Sequence, residues 1–560
     1  MRLRIGPIGA VAALVLMGAA APTQAQSPPA QAQSAPTRQN ASASPMADLT
    51  AAQYRDNFVK RAGSHLTVAG HEFRFSGANV EWLGLKNYGP QPSSILPLGS
   101  THYPTKYEID DVFTTAREMG ATVIRAQTLG DTIGCPQCLE PQLGQFNPKA
   151  FASMDLVVAE ARKYGIKLIG QFDGDANGAP PPNGIGISHQ WYCSWRGVPM
   201  AECEQTFFTD PLLITDFENH MRSVLNHVNP YTGLAYKDDP TFAGWADGNV
   251  VGAVGTPVPV LRSWLGTISH YFRSVDRHQL FIDISALDAV GDYGTIDPGA
   301  LLIPDVDVYS IEYYPFVCSF INDPSRCAPE LVHQEGVQAA AAGKTFAVIE
   351  FGWDRTNFPS AAELDQYLTG VDADPNIVGD NYWELLSHAN GHGWQPVPAD
   401  ASHCGPPPNC PASDDGNWWA LYYTGVDSTS NTAPDMADRA QLLRAHGYRM
   451  SGYATLPAHN PVPAPTITST TAGTVVFQGA AGSRSYTIQK QTSRSAWTTV
   501  CNNCVTDTSP GWHDPNAAQP GCYRVFGQNL DGVTGPPSPP AGNRGCRQTR
   551  SADTEPFRVR

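Results

Sequence analysis

Lys344-Thr345-Phe346-Ala347-Val348-Ile349-Glu350-Phe351-Gly352-Trp353 is a run of β-branched and aromatic residues interrupted by a single carboxylate. A run of this kind reads as a buried parallel strand, and α/β barrels keep their chemistry at the C-terminal ends of such strands. Glu350 is therefore the first catalytic candidate. The alternative, a glutamate that fixes a loop through backbone amides, is weaker because Glu is rarely buried without a partner or a task.

Seven further runs have the same character, at 73–79, 121–127, 166–172, 242–249, 279–284, 306–312 and 377–383. Between them, residues 107–119, 148–164, 213–228, 257–275 and 329–342 carry apolar side chains at three- and four-residue spacing, as helices covering a sheet do. Eight strands separated by helices predict an α/β fold, a (β/α)8 TIM barrel over residues 51–456. That is longer than the typical ~250 residues. Long loops are expected at 174–210 and 388–420, both rich in Pro, Gly and Trp.

Beyond the barrel, 457–465 is a Pro-rich segment that reads as a stiff linker between two separate cores. Residues 466–547 then show short alternating strands between Gly, Asn and Pro turns, predicting a small all-β immunoglobulin-like sandwich that resembles a fibronectin type III module. Residues 548–560 read as a disordered tail. At the other end, Arg2 and Arg4 precede an apolar run from Ile8 to Ala21 and then Thr23-Gln24-Ala25, the pattern of a cleaved signal peptide over 1–25. Residues 26–50 are Gln, Ala, Ser and Pro with few large apolar side chains, a composition that stays disordered. A secreted protein is expected, extracellular or periplasmic.

Twelve cysteines in an exported chain predict disulfides. Their spacing supports neighbour pairing: Cys135 with Cys138, Cys193 with Cys203, Cys318 with Cys327, Cys404 with Cys410, Cys501 with Cys504, and Cys522 with Cys546. Cys135-Pro-Gln-Cys138 and Cys501-Asn-Asn-Cys504 lack histidines at ligand spacing, so no metal and no cofactor is expected. The net charge of −16 comes from scattered acids, which argues against nucleic-acid or membrane partners and suits a neutral substrate bound by a monomer.

The strand ends in order carry Asn79 and Glu81, Arg125, Asp173 and Asp175, Asp247 and Asn249, Glu312 and Tyr314, Glu350, and Trp383 with Glu384. In a barrel these become neighbours. Paired carboxylates with a tryptophan suit glycoside hydrolysis, because a sugar face stacks on an indole while one acid attacks and another donates a proton. The segments Phe73-Arg-Phe-Ser-Gly-Ala-Asn-Val-Glu-Trp82, Ala121-Thr-Val-Ile-Arg125, Gly244-Trp-Ala-Asp-Gly-Asn249, Tyr309-Ser-Ile-Glu-Tyr-Tyr-Pro315 and Val348-Ile-Glu-Phe-Gly352 resemble glycoside hydrolase family five and its clan, with the secreted β-mannanases nearest. The resemblance implies that Glu350 is the nucleophile and Arg125 the arginine beneath it. It further implies that Asn249 binds the sugar 2-hydroxyl, that Tyr314 stands beside the nucleophile, and that Trp383 is the platform under the sugar.

Three departures stand out. The family pattern has its acid/base glutamate directly after the asparagine, where this chain has Val250. Glu312 replaces the family's histidine before Tyr-Pro, and Gln127 replaces the tryptophan two residues after the arginine. Glu312 is thus the candidate substitute acid, with Asp247 as runner-up although two residues deeper in its strand. The expected substrate is a β-linked polysaccharide of the mannan or cellulose class. The competing reading is a carbohydrate-binding pseudoenzyme that kept the cleft and lost turnover.

Overall fold

A computed structural model of the chain describes residues 57–86, 101–174, 181, 188–249, 251–252, 256–284, 295–315, 328–353, 361–390, 393–395, 421–425, 436–492, 496–507, 511–542 and 546. Eight strands, β1 (Phe75–Asn79), β2 (Val123–Arg125), β3 (Lys167–Gln171), β4 (Phe242–Ala246), β5 (Leu280–Asp283), β6 (Val308–Tyr313), β7 (Thr345–Phe351) and β8 (Ile377–Tyr382), pair in parallel and in sequence order into a closed barrel. The expected barrel is thus observed. Strands β4 and β8 stop short of their predicted C-terminal ends, leaving Asp247, Asn249 and Trp383 just beyond the ladder, while β6 runs one residue past its predicted end to Tyr313, so that Tyr314 also lies just beyond it. Their backbones are thereby freed to turn polar side chains over the mouth.

Among the described residues the covering helices are α1 (Lys106–Glu118), α2 (Pro148–Tyr164), α3 (Pro211–Asn226), α4 (Val258–Val275), α5 (Pro329–Ala341), α6 (Ala362–Ala373) and α7 (Met436–Met450). Local chemistry sets their ends. Thr105 and Glu108 form a capping box on α1, while α2 starts at the Asn147 cap with Pro148 behind it. Gly165, at φ 68°, ends α2 in the left-handed region and feeds β3. The predicted loop at 174–210 is a correction: it contains helices at Ser188–Arg196 and Met200–Thr206, joined by the Cys193–Cys203 disulfide. Its aromatic residues Trp191, Tyr192 and Phe207 are buried in the core cluster of the barrel.

Two apolar layers hold the barrel. Its interior is filled by Phe75, Val123, Ile169, Leu280, Ile282, Val308 and Ile349, and is closed at the floor by Val59 and Leu66 of a hairpin (Val59–Ala62 with His65–Val68). The outer layer packs Trp245, Phe172, Phe272 and Trp264 between strands and helices.

After α7 come β9 (Thr466–Ser469), β10 (Thr474–Gln478), β11 (Ser485–Gln491), β12 (Thr498–Val505), β13 (Gly511–His513), β14 (Cys522–Gln528) and β15 (Ala541–Gly542). They form a three-stranded sheet, β9-β10-β13, and a four-stranded sheet, β12-β11-β14-β15. Val475, Phe477, Tyr486, Ile488, Val505 and Val525 form one apolar cluster drawn from both sheets, and Val462 of the Pro-rich segment joins it.

Candidate active site

Arg125, fully buried at the end of β2, organises the barrel mouth. Its Nη1 donates to Glu350 Oε2 at 2.7 Å and to Asn79 Oδ1 at 3.2 Å, while Nη2 donates to Gln171 Oε1 at 3.0 Å and to Asn249 Oδ1. One cation thus ties together β1, β3, the turn after β4, and β7. A charge-assisted fork of this kind fixes both position and orientation of the carboxylate it holds. The other oxygen of Glu350 accepts from the Tyr314 hydroxyl at 2.7 Å. Burial, and then the charge of Glu350, hold the Tyr314 phenol well above its ordinary range, so it remains a donor.

Asn79 carries the fork onward. Its Nδ2 donates to the carbonyls of Ile349 at 3.1 Å and Asn381 at 3.2 Å, and its Oδ1 also accepts from Gln127 Nε2 at 2.9 Å. Gln127, which looked like a lost tryptophan, is therefore a buttress, through Asn79, for the strand that carries Glu350. Gln171 Nε2 donates to Asp131 Oδ2 at 2.9 Å.

Two further acids lie close to Glu350. Glu312 on β6 is paired in register with Glu350 across the parallel ladder, so their side chains share one face at a strand spacing of roughly 4.8 Å. Glu384 follows Trp383, whose backbone N–H donates to Phe351 O at 2.7 Å and so seats the segment beside the end of β7. Burial, and then the charge of Glu350, push the Glu384 carboxyl up to about 8 against a counteracting backbone hydrogen bond from Glu81. Glu384 therefore holds its proton more tightly than an ordinary carboxyl; the sequence placed it at a strand end beside Trp383 without marking it as an acid.

Asp247 sits elsewhere. It is wholly buried, its Oδ1 accepts from the amides of Gly248 and Ile284 at 2.9 Å each, and burial and then Asp283 raise its carboxyl well above the usual range. The Arg125 fork does not include it. Val250 lies outside the described residues, as do Asp175, Trp418 and Trp419. Trp191 is buried on the helix Ser188–Arg196, Trp353 and Trp394 are buried, and Trp383 is half-buried.

Asp173 serves a different pair of groups. It accepts from the amides of Gly174 and His189 and holds His189 Nδ1 at 2.6 Å, while His189 Nε2 faces Glu204 at 3.2 Å. Burial pulls the imidazole down, but the two carboxylates outweigh it and push it up to about 10. His189, Cys203 and Glu204 converge as metal ligands can, but Cys203 is bonded to Cys193 and offers no thiolate.

Residues 182–292 match the family described as GH family 5 beta-mannosidase-like. The chain is similar to the GH family 5 mannosidases. A mannan endo-1,4-beta-mannosidase 7 of Arabidopsis thaliana is 29% identical over 274 residues, 46% of this chain and 58% of that relative. A mannan endo-1,4-beta-mannosidase 4 of Oryza sativa is 26% identical over 366 residues, 59% of this chain and 74% of that relative. The match thus spans well under two thirds of the first of these mannosidases. Among solved structures, an endo-1,4-beta-mannanase from Rhizomucor miehei aligns with a TM-score of 0.52 at 20% identity, covering 71% of this chain and 100% of that one. The likeness to that structure is one of fold.

Proposed function

We propose that the chain is a glycoside hydrolase of the family five type that acts on a β-linked mannan-class polysaccharide with Glu350 as nucleophile. The observation that carries this reading is the double grip on Glu350, by the Arg125 guanidinium on one oxygen and the Tyr314 hydroxyl on the other. A carboxylate held so is aimed before substrate arrives, the condition for attack on an anomeric carbon. Asn249 shares the same guanidinium and stands ready for a sugar hydroxyl, with Trp383 as the platform. Glu312 supplies the proton in this scheme, since its in-register place beside Glu350 is compatible with the ~5 Å separation of retaining carboxyl pairs.

Val250, where a relative of this type carries its acid, favours a second reading, carbohydrate binding without turnover. An activated 2-deoxy-2-fluoro-mannoside distinguishes the two. A nucleophilic Glu350 traps the sugar as a covalent adduct on the peptide containing residue 350, and Glu350→Gln abolishes the mass shift. An unlabelled wild-type chain that still binds mannooligosaccharide overturns hydrolysis in favour of binding.

In the same reading residues 466–547 form a fibronectin type III-like sandwich, supported by the apolar cluster that the two sheets share, and the chain is exported as a monomer. Among the described residues no helix is long and apolar enough to cross a membrane.

A further inference from the structure

The segment leaving β8 runs through Trp383 and Glu384 to His388, which is fully buried. His388 N donates to Asp111 Oδ2 at 2.9 Å, and its Nδ1 lies 2.9 Å from Asp111 Oδ1 on α1. Its Nε2 lies 3.2 Å from Asp507 Oδ1, in the C-terminal sheets. Asp507 is itself fixed by the Tyr486 hydroxyl at 2.7 Å. The imidazole stacks on Trp394, 4.1 Å between ring centroids, and Gly479 packs so close that a Cβ there would stand 2.3 Å from the ring. Burial disfavours its charge, but the two carboxylates outweigh burial and push His388 up to about 10, so the ring is an imidazolium shared between barrel and C-terminal sheets. Tyr107 on α1 donates to Gly479 O at 2.8 Å, and Gln478 donates to Asn390 O on the far side of His388.

A second attachment lies at the other end of α1. Glu118 accepts from Arg444 Nε at 3.1 Å and from both nitrogens of Asn460. The expected linker is therefore bonded on both sides: Arg444 Nη2 donates to Pro457 O, and Asn529 Nδ2 donates to Asn460 O. An independently swinging module needs neither attachment.

We propose that His388 is a positioning residue for the sugar platform: clamped between Asp111 and Asp507, it makes the C-terminal sheets a fixed support for the segment that begins at Trp383. This rests on the reading that Trp383 lies under the bound sugar. The span from the clamp to the platform is five residues of one chain segment, and that segment is also pinned at Leu385–Leu386 by its pairing with Leu421–Tyr422. Removing the Asp507 charge frees one side of the clamp without touching the barrel interior.

The test compares the full chain with Asp507→Ala, Asp507→Glu and Asp531→Ala. Asp531 accepts from His459 and belongs to the second attachment only. Asp507→Ala weakens mannooligosaccharide binding by calorimetry and raises KM for mannan, each by about tenfold. Its kcat on an activated aryl mannoside changes less than about twofold, because Glu350 and Arg125 are not displaced. Asp507→Glu restores part of the affinity, and Asp531→Ala leaves it unchanged. Affinity unaltered in Asp507→Ala overturns the proposal while leaving the hydrolase reading intact, and so does an equal loss in Asp531→Ala, which would mark general loosening. A wild type that neither binds nor cleaves mannan overturns the platform reading and this proposal with it.

Discussion

Replacing Glu384 by glutamine should make the chain more stable, and more so at higher pH. The carboxyl is displaced from 4.5 to about 8 by burial and by the charge of Glu350. A raised folded-state value means that the folded chain holds the proton more tightly than the unfolded chain does. The associated stability is fully present below about 4.5 and lost as pH rises through about 8. Each tenfold change in proton affinity is worth about 1.4 kcal/mol. The wild type thus forfeits under about 1 kcal/mol at pH 5 but on the order of 3 to 4 kcal/mol at pH 7.5, and glutamine, similar in shape and uncharged, forfeits none of it. Urea unfolding of both chains at the two pH values measures the difference directly. Adding Glu350→Gln should shrink the pH dependence, since it removes the second cause of the displacement. If Glu384→Gln shifts stability equally at pH 5 and pH 7.5, Glu384 is not a proton-bearing acid and the electrostatic picture of the mouth is wrong. The same ionisation should place an alkaline limb near pH 8 on any mannan hydrolysis, absent in Glu384→Gln.

Arg125→Met strips the guanidinium from Glu350, Asn79, Gln171 and Asn249 together, and a melting study should show a cost of about 3 to 5 kcal/mol. Aryl mannoside turnover should fall by about 10² or more in that variant. Tyr314→Phe removes a hydrogen bond to a charged oxygen, worth about 1.5 to 3 kcal/mol, and should lower kcat by about 10- to 100-fold while leaving the fold intact by circular dichroism. The described cysteines are all paired, as Cys135–Cys138, Cys193–Cys203, Cys501–Cys504 and Cys522–Cys546. Thiol titration of the unfolded, unreduced chain should therefore find none of these eight, and peptide mapping should recover the four links. The pairs expected at Cys318–Cys327 and Cys404–Cys410 lie outside the described residues.

The barrel was legible because its strands are buried on both faces and so read as unbroken apolar runs. Arg125 and Glu350 were legible for the same reason, as charges that such runs tolerate only with a partner. Gln171 carried the same signal at the end of β3 and was passed over because an amide bears no charge. His189 was hidden in a segment whose prolines and glycines suggested loop, although Trp191, Tyr192 and Trp195 already had helical spacing. His388 could not have been read as a clamp. Its two acids come from 277 residues before it and from the far side of the Pro-rich segment, and a pairing across that distance leaves no local pattern.

The four acceptors of Arg125 lie 46 residues behind it and 46, 124 and 225 residues ahead, so the guanidinium is a late meeting point in the history of each molecule. A chain emerging from the ribosome has made β2 long before β7 exists. Until Glu350 arrives, burying that guanidinium leaves it without its carboxylate, a state costly enough to keep the nascent barrel open. Closure of the sheet and completion of the Arg125–Glu350 pair therefore become one event, and no N-terminal fragment ending before Glu350 is expected to close the barrel.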